Sequence, residues 1–185
     1  SKEIGSVLIF DEITSGYRMC NGGLHKIQKI YPDLAVFAKS MANGYAMSAI
    51  LGKGKLMKKF ETTFVSSTNW TEGVGPTAAL ATIEKFESCN VASRIIGLGN
   101  KIKKIWEIVF KEYDINISIK GLPSLPSYTI LGKNKLFMTM LVDQMLKRNI
   151  LSFSQFRPSF AHNINHLNIY KKNLISSIEY ILENE

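Results

Sequence analysis

The fold is decided near the start of the chain, by the stretch Ser6-Val7-Leu8-Ile9-Phe10-Asp11-Glu12-Ile13-Thr14-Ser15-Gly16-Tyr17-Arg18. Residues 7–10 are a short apolar run, which is typical of a buried parallel strand. The strand is expected to end at the acidic pair Asp11 and Glu12. Because ligands bind at the carboxyl ends of strands in open α/β sheets, Asp11 is a candidate site residue. The side chain of Glu12 is expected to point the other way and to serve the structure.

Further short elements follow this strand. The apolar runs and turn residues predict strands at 34–37 and 46–51, a short helix at 55–60 and a helix at 77–87. Near residue 90 the character of the sequence changes, and we place a domain boundary there. The remaining elements are an amphipathic helix at 91–113, strands at 115–119 and 127–131, a helix at 135–148, an extended piece at 150–153 and a helix at 167–182. This second part is predicted to be an α+β unit.

Composition excludes several classes of protein. With 185 residues, 45% hydrophobic and 21% charged, the chain is not a disordered tail, and its apolar runs are too short to cross a bilayer. The net charge is +8, but the lysines are scattered without interleaved aromatics, so a solvated surface is favoured over a nucleic-acid site. Cys20 and Cys89 form no disulfide framework or zinc pattern. A reducing, cytoplasmic setting is therefore expected.

Two further polar residues are candidates for the site. Lys39 follows the second strand, and most of its neighbours are apolar or small. We expect its amine to be partly desolvated, which favours the neutral, nucleophilic form that a Schiff-base lysine needs. Thr71 lies in a polar segment and offers a hydroxyl that could bind a ligand. The alternative interpretation is an ordinary loop residue. The histidines carry weaker signals: His25 is expected at the surface and His162 near the start of the last helix.

Together these residues resemble a known family. Residues 8–18 are similar to the signature of class III, pyridoxal-phosphate-dependent aminotransferases, a hydrophobic strand followed by Asp-Glu-Val and Thr-Gly-Phe-Arg. The later parts of the resemblance are Gly22-Gly23, Tyr31-Pro32-Asp33-Leu34, Ala38-Lys39, Asn43-Gly44-Tyr45 and Pro76-Thr77-Ala78-Ala79-Leu80-Ala81. The spacing from Asp11 to Lys39, and from Lys39 to Thr71, matches the family. Within the class the chain is most similar to the glutamate-1-semialdehyde aminomutase branch, and the run 66–72 resembles members associated with surface-polysaccharide sugars.

The resemblance implies a fold and a set of roles. Residues 1–90 would be the C-terminal half of a fold-type-I, α/β large domain with a mixed, mostly parallel sheet, and residues 91–185 the small α+β domain. Lys39 would hold pyridoxal 5'-phosphate as a Schiff base and move protons, while Asp11 would pair with the pyridine nitrogen. Ile13, on an extended chain, would pack on the ring. Thr71 would bind the phosphate from the neighbouring subunit of a homodimer.

The resemblance also limits what is expected of the chain. The family's N-terminal half is expected to be missing, so the chain alone should bind cofactor weakly and be a poor catalyst. The expected substrate is a small polar metabolite with an amino or keto group, and neither a nucleic acid nor a membrane is an expected partner. Aminotransferase and 2,1-aminomutase chemistry remain open alternatives. A second alternative is a truncated, non-catalytic remnant or subunit, and a third, resting on the charge of +8 alone, is a nucleic-acid-binding module.

Overall fold

The structure is a computed structural model, which describes residues 3–69, 71–132 and 135–184. The chain divides into two compact units, Ser1–Ala92 and Ser93–Glu185. Among the described residues, none of the helices has the length and apolar character that crossing a membrane requires.

The first unit is built on a three-stranded sheet with the strand order β1-β2-β3. Its strands are β1 (Ile9–Asp11), β2 (Leu34–Phe37) and β3 (Ala49–Gly52). β1 and β2 run parallel, with Asp11 opposite Val36. β3 pairs with β2 in the antiparallel direction, so the described sheet is mixed. The carboxyl ends of β1 and β2 therefore lie side by side at one edge of the sheet.

The helices of the first unit are α1 (His25–Gln28), α2 (Gly54–Met57) and α3 (Val74–Ser88). The helix predicted at 77–87 is confirmed within α3, which begins earlier because the Glu72 carboxylate accepts hydrogen bonds from the backbone amides of Val74 and Gly75, at 2.7 and 3.1 Å. These bonds satisfy amide groups that have no partner inside the helix. The short helix α1 was not predicted.

The core of the first unit is small. It is formed by the buried residues Ala35, Phe37, Met41, Ala42 and Ala79. The prediction that residues 7–10 are buried is wrong, since the Ile9 side chain is 56% exposed. The physical reason is that the buried cluster of the first unit packs on β2 through Ala35 and Phe37 and does not extend over the face of β1.

The second unit combines three helices with a two-stranded antiparallel sheet. Its elements are α4 (Val91–Glu112), β4 (Ile117–Lys120), β5 (Ser127–Ile130), α5 (Lys135–Lys147) and α6 (Ile164–Glu183). All the helices and strands predicted here are confirmed with shifts of a few residues at their ends. The piece predicted as extended at 150–153 forms no strand, and Gln155 instead makes an isolated bridge to Ser127. α6 begins at Ile164 because Asn163 and His166 form a capping box.

A larger core holds the second unit together. Its fully buried centre includes Trp106, whose indole N–H donates to the Tyr170 hydroxyl at 2.9 Å, and whose ring lies edge-on to Tyr128 at 4.8 Å. Gly99 of α4 allows a close approach to the backbone, because a Cβ atom there would lie 1.6 Å from the Pro123 carbonyl oxygen. This core comes from the amphipathic pattern of α4, whose apolar residues recur at helical spacing.

Candidate active site

Asp11 is the last residue of β1, at the sheet edge where β1 and β2 both end. Its side chain is exposed, and its Oδ1 atom accepts a hydrogen bond from the backbone amide of Ile13 at 2.9 Å. This short-range bond bends the chain into a turn directly after the strand. The prediction that Ile13 continues an extended chain is therefore wrong: Ile13 is half-buried in a turn, so the alternation of a strand does not fix its direction.

Lys39 lies two residues beyond the end of β2, at the same sheet edge as Asp11. Its backbone has φ = 50°, in the left-handed region that side chains with a Cβ rarely adopt. The expectation that its amine is partly desolvated is wrong in this structure, since Lys39 is exposed. The apolar neighbours Phe37 and Met41 are buried in the core of the first unit, while the lysine side chain faces outward.

A hydrogen bond connects the two strand ends. The Lys39 Nζ atom donates to the Thr14 hydroxyl at 2.8 Å, and Thr14 belongs to the turn that Asp11 begins. The turn after β1 and the residue beyond β2 are thus joined by an amine–hydroxyl contact at the end of the sheet where the two parallel strands end. Thr14 was not singled out by sequence reasoning, because only the folded turn brings its hydroxyl to the amine.

Glu12 lies under this edge and is only 2% exposed. Its carboxylate accepts hydrogen bonds from the Ser15 hydroxyl, from the His25 backbone amide at 2.9 Å and from the His25 Nδ1 atom at 3.0 Å. Burial raises the pKa of the Glu12 carboxyl, but these hydrogen bonds and one from the Leu24 amide outweigh burial and leave the pKa lowered. The expectation that His25 is a surface residue is wrong, since its side chain is 15% exposed and pairs with this carboxylate.

Thr71 is exposed in the segment that precedes α3. In the described part of the chain, the hydrogen bonds at the Asp11 and Lys39 edge do not include Thr71. Within the run 66–72, Trp70 lies outside the described residues. The structure of this chain thus places Asp11 and Lys39 after two neighbouring parallel strands, with Thr14 in contact with the lysine, and leaves Thr71 in a separate loop.

His162 belongs to the second unit and lies just before α6. Its Nδ1 atom accepts from the Ser159 backbone amide at 3.1 Å and lies 2.8 Å from the Ser159 hydroxyl. Burial, with a smaller effect from His166, lowers the pKa of His162. The last helix is capped by Asn163 and His166, so His162 is not the capping residue.

The comparison with known families shows which family the chain belongs to. A family model described as class-III aminotransferase matches residues 1–135. The chain belongs to the class-III aminotransferase family. The resemblance carried by the stretch around Asp11 and by the region of Lys39 is thereby confirmed at the level of the family.

Relatives of this class-III aminotransferase chain include both kinds of enzyme left open by the sequence. The 3-aminobutyryl-CoA aminotransferase of Cloacimonas acidaminovorans is 35% identical over 149 residues, which are 78% of this chain and 36% of that protein. The glutamate-1-semialdehyde 2,1-aminomutase of Fusobacterium nucleatum is 26% identical over 167 residues, which are 88% of this chain and 38% of that protein.

Solved structures share the fold of the chain. The PLP internal aldimine form of the FumI protein of Sphingopyxis sp. MTA144 has a TM-score of 0.92 at 20% identity, over 99% of this chain and 45% of that one. A transaminase with PLP bound has a TM-score of 0.88 at 20% identity and similar coverage. The predicted α/β, fold-type-I class is confirmed. The chain spans between about a third and a half of the length of the proteins that it matches.

Proposed function

We propose that the class-III chain supplies the lysine and aspartate half of a pyridoxal-phosphate-dependent amino-group transfer site. The observation that carries this proposal is the hydrogen bond from the Lys39 amine, two residues beyond β2, to the Thr14 hydroxyl in the turn that follows Asp11, the last residue of β1. The reaction class is aminotransferase or 2,1-aminomutase, acting on a small polar metabolite with an amino or keto group. The relatives of this chain include an aminotransferase and a 2,1-aminomutase.

The residues present fit pyridoxal 5'-phosphate. The cofactor needs a primary amine for its aldehyde and a carboxylate for its ring nitrogen. Lys39 offers an exposed amine whose described hydrogen bond goes to the neutral hydroxyl of Thr14 rather than to an acid. The left-handed backbone of Lys39 is a strained position, and such positions persist at functional sites where the surrounding structure over-determines them.

Each residue would have a distinct task. Lys39 would hold the cofactor through Nζ, and its amine, once released, would take up and deliver a proton at the reacting carbon. Asp11 would keep the pyridine nitrogen protonated, and Ile13 would pack beside the ring. Thr71 would bind the phosphate of the cofactor that is held by the neighbouring subunit. When bound, the cofactor supplies an electron sink for the carbanion at the substrate carbon.

The wider assignments rest on the same site. Residues 1–90 would form the C-terminal half of the cofactor-binding large domain and residues 91–185 the small domain. The enzyme would be a cytoplasmic homodimer in which Thr71 completes the active site of the other subunit. The alternative is a non-catalytic remnant or subunit, which would carry the same Asp11 and Lys39 motif without activity.

The amine of Lys39 is tested by trapping the cofactor on the chain. The 185-residue chain is incubated with pyridoxal phosphate at increasing concentration and reduced with borohydride, and the bound pyridoxyl groups are measured by absorbance. We expect Lys39→Arg to lower the adduct formed at low cofactor concentration by about tenfold or more, because Asp11 would pair with the ring nitrogen of a cofactor held on Lys39 and one charged contact is worth about that factor.

The matched control is Lys55→Arg, which changes another exposed lysine of the first unit, in α2. This variant should trap as much cofactor as the parent chain. Equal trapping by the parent chain and Lys39→Arg would contradict the assigned role. Lys39-specific trapping without any spectral change on adding an amino donor would instead favour the non-catalytic alternative.

A further inference from the structure

Glu12 and His25 form a hydrogen-bonded pair next to the turn that carries Thr14. We propose that Glu12 and His25 are positioning residues, which fix the Thr14 hydroxyl against the Lys39 amine. The inference rests on the proposed function for its meaning in catalysis, although the contacts themselves belong to the chain. Neither residue touches the amine, so each acts through the turn that carries Thr14.

Thr14 lies between two residues, Ile13 and Ser15, that are each hydrogen-bonded to a carboxylate. On one side, the Ile13 amide donates to the Asp11 carboxylate at 2.9 Å. On the other side, the Ser15 hydroxyl donates to the Glu12 carboxylate. The backbone of Thr14 is therefore held from both sides by a carboxylate, one at the surface and one buried.

The Glu12 carboxylate is itself held in place by His25, at the other end of the loop. It accepts from the His25 amide at 2.9 Å, and the Nδ1 atom of His25 lies 3.0 Å away. Because the carboxylate can only accept, Nδ1 carries the proton and donates. Glu12 thereby joins the turn at residues 14 and 15 to the start of α1.

The loop is closely packed against Glu12 at two glycines. A Cβ atom at Gly16 would lie 2.7 Å from the Glu12 carbonyl oxygen, and one at Gly23 would lie 2.7 Å from the Glu12 Oε1 atom. The Gly16 amide also donates to the Glu12 carbonyl at 2.8 Å. Side chain and backbone of Glu12 thus both hold the segment that presents Thr14.

The consequence concerns the amine of Lys39. The lysine stem has many rotamers, so a fixed acceptor selects one direction for Nζ. The Thr14 hydroxyl, which accepts from Nζ at 2.8 Å, is that acceptor. A turn released from Glu12 would leave the hydroxyl free to move away and the amine free to rotate.

The test measures the reactivity of the Lys39 amine without any cofactor. The chain is labelled with trace acetic anhydride, and acetylation of each lysine is quantified by peptide mass mapping, with Lys55 as the internal reference. An amine that donates to a fixed hydroxyl must give up that hydrogen bond before its nitrogen can attack the anhydride, so the bond slows the labelling reaction. We expect Thr14→Val to raise Lys39 acetylation about two- to tenfold, the range that one hydrogen bond supports.

Glu12→Gln should raise Lys39 acetylation in the same direction, and it should add nothing in the Thr14→Val background. This non-additivity is the signature of a residue that acts through Thr14. Glu84→Gln, the same change on the exposed surface of α3, should leave the labelling unchanged. His25→Asn, which keeps a donor near the position of Nδ1, should label like the parent chain, while His25→Leu should label like Glu12→Gln.

If Glu12→Gln fails to fold, Ser15→Ala removes only the hydrogen bond from Ser15 to Glu12 and takes its place in the cycle. An unchanged Lys39 acetylation rate, or an equal rise with and without the Thr14 hydroxyl, would overturn the positioning role. Because acetic anhydride is the probe, this outcome is separate from cofactor trapping. Cofactor trapping at Lys39 can fail while Glu12→Gln still changes Lys39 acetylation. Trapping can also succeed while Glu12→Gln leaves acetylation unchanged.

Discussion

Lys39→Gly is expected to remove the reducible cofactor adduct at this position and, at the same time, to stabilise the first unit. The adduct is lost because glycine has no amine. The stabilisation follows from the backbone of Lys39, whose φ of 50° places a residue with a Cβ in the left-handed region. Relief of that strain, less the extra freedom that glycine has when unfolded, should raise the free energy of unfolding by about 1 kcal/mol. Urea unfolding monitored by circular dichroism measures the change.

The matched variant is Lys39→Ala, which also loses the amine but keeps a Cβ atom. It should lose the adduct without gaining stability, so the two variants separate the chemical loss from the backbone effect. A Lys39→Gly chain that is no more stable than Lys39→Ala would show that the lysine backbone is not strained. The expected pattern, a lost function with a gain in stability, is typical of residues kept for chemistry.

Trp106→Ala is expected to destabilise the second unit by about 3–5 kcal/mol, the usual range for deleting a buried aromatic side chain. Trp106 is 0% exposed, contacts Tyr128 edge-on and donates to the Tyr170 hydroxyl. The substitution also leaves that buried hydroxyl without its donor. Since small domains are stable by only about 5–15 kcal/mol, this loss would bring the second unit close to unfolding. Urea unfolding measures it.

The control on the same helix is Ile108→Ala, at a side chain that is 57% exposed. This change should alter the free energy of unfolding by about 0.5 kcal/mol or less, as surface substitutions usually do. Trp106→Phe keeps the apolar ring and should fall between the two. A loss under about 1 kcal/mol for Trp106→Ala would contradict the packing described for this core.

The fold of the second unit could be predicted from the sequence because its helices carry their own signal. The apolar residues of α4 recur at helical spacing, and the same spacing marks α6. By contrast, the apolar run 7–10 predicted a buried strand that the structure shows exposed. An apolar run shows that a strand forms, whereas its burial depends on what covers the faces of the sheet. The short helix α1 has too few residues for a periodic pattern.

Some residues of the candidate site could be predicted from the sequence and others could not. Asp11 and Lys39 could be chosen from the sequence, since each follows an apolar strand and together they match a family signature. Thr14 and His25 could not, because their contacts depend on how the loop after β1 folds back. The sequence predicts an extended chain at Ile13, whereas the hydrogen bond from its amide to Asp11 makes a turn. Loop geometry of this kind leaves no periodic trace in a single sequence.

The central claim is that Lys39 and Asp11 hold the same pyridine ring, and a crystal structure of the chain grown with pyridoxal phosphate tests it most directly. We predict continuous electron density from the Lys39 Nζ atom to the cofactor, with an Asp11 carboxylate oxygen about 2.7–2.9 Å from the ring nitrogen, a charge-assisted distance. Cofactor density on another lysine, or a cofactor on Lys39 whose ring nitrogen lies away from Asp11, would contradict the proposed site.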